Sequence, residues 1–174
     1  MCIRDRVDPD NRRPVDFDLR ERALEQLIGS SQSNDLVGLC QQLLGNYQDG
    51  RIKLWVTMQA LNFRREHQEL FQSGKYVPLY ANRGKEEHVV AFARVRHGEA
   101  AIVAAPRLSY TLMKGNAEPP LAAAWNDSEL VLPPEVRGAQ WHNIFTGEVL
   151  GVAEGAPLCR EIFAHFPVAL FAVR

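Results

Sequence analysis

LNFRREHQELFQSGKYVPLYA, residues Leu61–Ala81, contains a change of period. Before Gly74 the apolar residues recur at helical spacing. After it they alternate or run in short blocks of β type. The stretch predicts two architectures in one chain: helices to about Gln72 and antiparallel strands from about Lys75. The expected fold class is α+β.

Working upstream, Ile52, Trp55, Val56, Gln59, Ala60 and Phe63 line one side of a long helix that Asp49 can cap. Leu54, Met58 and Leu61 widen its apolar arc, and the helix is expected to run unbroken to Phe71 or Gln72. A helix over about Asn34–Tyr47 carries the stripe Leu36, Leu39, Cys40, Leu43, Leu44 and Tyr47. Another spans about Asp18–Ile28, with Asp18 as cap and Glu21 at the reciprocal position. Gly29 is expected to end it in the left-handed conformation.

Downstream, strands are expected at Tyr76–Ala81 and His88–Arg96, then across a His97-Gly98 hairpin turn at Glu99–Ala105. Val89, Ala91, Ala93 and Val95 share one face of the second strand. Arg107–Ser128 reads as a long connection with breakers at Gly115 and Pro119-Pro120. Short strands follow at Glu129–Leu132, Ala139–Phe145, Glu148–Val152 and Val168–Val173. Thr146-Gly147 is a turn, and Leu158–His165 is one or two helical turns. Short strands with turns between them point to an antiparallel β-sandwich.

The bulk properties exclude several function classes. The 174 residues are 46% apolar and 24% charged, with formal net charge −1, which gives no electrostatic case for nucleic acid or a membrane surface. Cys2, Cys40 and Cys159 form neither a disulfide framework nor a zinc site, so a reducing, cytoplasmic compartment is expected. No run approaches a membrane span. His67, His88, His97, His142 and His165 lack metal-ligand spacing. No metal or organic cofactor is implied.

The most informative polar segment is Val7-Asp8-Pro9-Asp10-Asn11-Arg12-Arg13-Pro14-Val15-Asp16-Phe17. Its two prolines forbid a regular helix or central strand, so it reads as a rigid loop. Carboxylates and planar guanidiniums held in advance suit the recognition of sugar hydroxyls. The same groups can instead pair with each other as a surface ion network that contributes little. Asp18 is better explained as a helix cap, and Arg64-Arg65-Glu66 as a solvated helix end. Trp55, Trp125 and Trp141 read first as packing residues.

The segment resembles the α-amylase family, in which a DPDNR loop follows the last barrel strand of several transglycosylases. Carried over, Asp8 and Arg12 bind donor-side glucose units. The longer string DPDNRRPVDF resembles the members that make a trehalose-type linkage. Ile52-Lys53-Leu54-Trp55, Leu61–His67 and Leu70-Phe71 look like that family's final barrel helix. Gly74–Leu79, His88–Arg94, Trp141 with Thr146-Gly147, and Phe166–Leu170 look like its C-terminal sandwich.

Residues 1–6 have neither the period of a helix nor the alternation of a strand, resemble translated adapter or vector sequence, and are expected to be a non-native leader. The family resemblance implies that 7–74 are the end of a (β/α)8 barrel and 75–174 a C-terminal β-sandwich. It also implies a maltooligosaccharide substrate. The reducing-end α-1,4 bond would become an α,α-1,1 bond by intramolecular transfer through a glycosyl-enzyme. The family's catalytic carboxylates belong upstream of Val7, so the chain itself supplies no catalytic residue. It should be inactive alone and pack against the missing barrel. The competing readings are another transglycosylase or hydrolase of the same family, and a non-catalytic glycan-binding or structural module.

Overall fold

A computed structural model describes residues 15–136, 140–151 and 156–173. Its first half is helical. Helix α1 spans Phe17–Ser31. Asp16 caps it, not Asp18: the Asp16 carboxylate accepts the Leu19 N–H at 2.8 Å. Asp16 has the extended backbone of a capping position, whereas Asp18 already lies in the first turn, where its charge complements the helix dipole. Gly29 does not end the helix. The ladder continues two residues further, and the Gln32 N–H closes it on the Gly29 and Ser30 carbonyls.

Helix α2 spans Leu36–Gly45, and the Asp35 carboxylate accepts the Gly38 N–H at 2.8 Å. A 3-10 turn at Tyr47–Asp49 and the left-handed Gly50 lead into α3, Arg51–Glu66. Asp49 accepts both the backbone N–H and the Nε–H of Arg51, each at 2.8 Å. The expected single long helix is broken at His67, and a separate turn, α4, covers Gln68–Ser73. The break re-aims the chain. Leu70 is buried, and the Phe71 carbonyl accepts Arg94 Nη2 at 2.6 Å.

The second half is a sheet. Its strands are β1 (Lys75–Ala81), β2 (Val89–Arg96), β3 (Glu99–Pro106), β4 (Leu130–Val131), β5 (Gln140–Asn143), β6 (Val149–Gly151) and β7 (Ala169–Val173). Their order is β4-β1-β2-β3-β7-β5-β6, antiparallel at every pairing. His97 and Gly98, at φ 48° and 88°, form the expected two-residue turn between β2 and β3. The antiparallel strands are as expected, but the two-sheet sandwich is not. Hydrogen bonding runs continuously from β4 to β6, so the strands form one curled sheet of seven.

Both faces of that sheet are buried at its centre. On β3 and β7, Ala100, Ile102, Ala104, Ala169, Phe171 and Val173 face one core. Trp125, Trp141, Phe163 and Leu130 complete it, with short helical turns α5 (Ser109–Leu112) and α6 (Cys159–Ile162) contributing Leu112 and Ile162. The alternate residues Ala101, Leu170 and Ala172 face a second core with Leu27, Cys40, Leu43, Trp55 and Phe63 from the helices. The period-2 geometry of two strands thus joins the helical layer to the sheet. Trp55, Trp125 and Trp141 are each fully buried, in keeping with packing roles. The Trp125 indole N–H donates to the Pro120 carbonyl at 2.8 Å.

Candidate functional site

Asp8 and Arg12, the expected sugar-binding pair, lie outside the described residues. The nearest described position with a fixed polar role is Asp16, which is committed to capping α1. Cys40 and Cys159 are core residues. Burial pushes the Cys40 thiol up to about 12 and raises that of Cys159 as well, so neither is a ready nucleophile. Cys40 donates weakly to the Phe145 carbonyl at 3.4 Å. The histidines are dispersed. His88 contacts the Arg107 carbonyl at 3.3 Å, and His165 lies 3.3 Å from Glu148. Among the described residues no group of three or more His, Cys, Asp or Glu is placed to hold a metal ion.

A charged cluster braces one end of the sheet. The Arg83 guanidinium spans Asp127 at 2.9 Å and Glu129 at 2.8 Å. The Arg83 hydrogen bond holds the Asp127 carboxyl below its ordinary range. Asn82 donates to the Glu129 carboxylate and accepts its backbone N–H. These groups satisfy one another and tie the turn after β1 to the entrance of β4.

A cleft of about 310 Å³ opens between the end of α3 and the β5–β6–β7 side of the sheet. Alternation along β5 turns Trp141 and Asn143 inward and leaves Gln140 and His142 exposed. His142 pairs with Val149 on β6 and with Ala172 on β7, so these three residues form a row across three strands. Phe63, Glu66 and His67 close the other side from the end of α3. The His67 ring packs on Phe63 at a centroid distance of 4.3 Å, and its Nδ1 lies 4.0 Å from the Glu99 carboxylate. The β5–β6 hairpin is held by Asn143, whose side-chain oxygen accepts the Phe145 N–H at 3.0 Å. Gly147 turns there at φ 74°, close against Leu36. Sequence reasoning weighed His67 and His142 only as metal ligands and did not join them. The usable signal was the exposed alternation of Gln140 and His142; the helix that faces them is a tertiary fact.

Fold and cleft together define a small α+β domain with its helices packed on one curled antiparallel sheet. No family model matches the chain. It is 33% identical over 164 residues to proteins from two strains of Mycobacterium tuberculosis that carry the name maltooligosyl trehalose synthase. The alignment covers 94% of this chain and 16% of each relative. The fold superposes on a variant of maltooligosyltrehalose synthase from Arthrobacter ramosus with a TM-score of 0.67 and 30% identity. That match covers 96% of this chain and 18% of the other. By sequence and by fold the chain is similar to a C-terminal part of the maltooligosyl trehalose synthases. It spans less than a fifth of the length of the relatives it matches.

Proposed function

We propose that this chain is the C-terminal part of an enzyme that rearranges the reducing end of maltooligosaccharides. The terminal α-1,4 bond is broken and remade as an α,α-1,1 bond within the bound substrate, through a glycosyl-enzyme that retains the α configuration. The observation that carries the reading is a 33% identity sustained over 94% of the chain, matched by a fold likeness to a synthase of the same name. The catalytic carboxylates are supplied by the upstream part of the parent. In this chain, Asp8 and Arg12 hold glucose units on the donor side of the cleaved bond. The helices up to Gly74 close the catalytic barrel, and the sheet from Lys75 supports it in a protein of the cytoplasm.

This arrangement has a chemical purpose. The glucose released in the first step must stay bound and turn over while water is kept out, or hydrolysis prevails. Fixed side chains around the donor sugars serve that end. The test is to recover the reading frame upstream of Val7 and assay the complete protein on maltopentaose. A trehalosyl product is expected. An upstream frame without barrel strands and paired carboxylates, or a complete protein that yields only maltose-type fragments, would overturn the proposal.

A further inference from the structure

The cleft between α3 and β5–β7 has a lining of specific chemical character. Its floor is apolar, with Val149 and Ala172 flanking His142 in the cross-strand row and the Phe63 ring below the helix end. Its rim is polar: Glu66 accepts hydrogen bonds, and Gln140, His67 and His142 are groups that can both donate and accept. Among the described residues no lysine or arginine lines it, and of these residues an anionic ligand would meet the Glu66 carboxylate. A wholly apolar ligand would leave the rim groups without partners at a cost. A pyranose ring satisfies both requirements, because it presents a C–H face beside an edge of hydroxyls that donate and accept.

The site is also set in advance. Gln140 and His142 stand on a strand paired on both sides, and His67 is held against Phe63 near Glu99. Side chains fixed before the ligand arrives lose less freedom on binding. The cleft volume of about 310 Å³ falls at the small end of ligand sites. From these features we infer that the cleft binds one unit of a neutral saccharide, with the exposed Val149 against the ring and Gln140, His142, His67 and Glu66 on its hydroxyls. The cleft is built from this chain's residues alone, so binding does not depend on the reaction proposed above.

The experiment is a titration of the isotopically labelled chain with glucose, maltose and maltotriose, followed by amide resonances. Saturable shifts are expected around residues 63–67, 140–144 and 149. Gln140→Ala and His142→Ala, both at exposed positions, should each weaken binding by about three- to tenfold, the size of one lost hydrogen bond. Tyr80→Ser, on the exposed face of β1, should leave it within about twofold. The inference is overturned if the shifts fail to saturate, if they fall elsewhere, or if neither cleft substitution weakens them. It is equally overturned if methylammonium reproduces them at the same concentration, since the cleft would then be reading a cation through Glu66.

Discussion

Single side chains in this protein divide into those committed to the fold and those free to meet a ligand. Cys40 and Cys159 belong to the first group, and their burial raises both thiols above the ordinary range. The sign is unambiguous: a raised thiol carries less thiolate at any given pH, and thiolate is the reactive form. Iodoacetamide at mild alkaline pH should therefore leave both unmodified in the native chain and label them after denaturation, as read by peptide mass. Native labelling of Cys40 would show that the helical layer opens readily. Asp8 and Arg12 are proposed for the second group. In the complete enzyme Asp8→Ala or Arg12→Ala should lower kcat/KM by roughly ten- to a hundredfold, the loss of one charge-assisted hydrogen bond. Arg12→Lys should recover little, since an ammonium cannot reproduce the planar fork. Unchanged kinetics with an unchanged denaturant midpoint would remove both residues from the site. Capping shows what sequence reading misses at this scale. Asp16 and Asp18 both fit a cap pattern, and only the extended backbone at Asp16 decides between them.

The elements were legible where their cause is local. The β2–β3 hairpin is set by His97-Gly98, and the inward face Val89, Ala91 and Ala93 follows from alternation. The break at His67 was not legible, because no proline or glycine marks it; it depends on Phe63 beneath the ring and on strands that the next turn must reach. Nor was the single sheet, since the pairing of β7 with both β3 and β5 joins residues far apart in sequence. Gly74 stands where helix gives way to strand. A Cβ there would strike the Leu70 carbonyl and crowd that of Val95, both backbone atoms that cannot step aside. Gly74→Ala should therefore destabilise by about 1–3 kcal/mol, a typical cost of overpacking. At Gly45, the last residue of α2, a Cβ meets nothing within 4 Å, so Gly45→Ala should stabilise by up to about 1 kcal/mol. The two denaturant midpoints should move in opposite directions; a common direction would contradict this account of the junction.

At the scale of the whole molecule, helices and sheet are not separable layers. Ala101, Phe145, Phe166, Leu170 and Ala172 are buried in the core they share with Leu27, Leu43, Trp55 and Phe63. A chain beginning at Lys75 would expose that face as a contiguous apolar patch, a recognised route to aggregation. It should elute as aggregate or give a poorly dispersed amide spectrum. A well-dispersed monomer would show that the sheet closes without its helices. The placing of β7 carries a further consequence, for synthesis. Its partner β3 ends at Pro106, and β7 begins at Ala169. While the ribosome makes the intervening stretch, β3 presents an unpaired edge and both cores lack the residues that β7 supplies. The nascent chain must be kept from neighbouring polysomes until β7 emerges, and a pause in translation across that interval would lengthen the exposure.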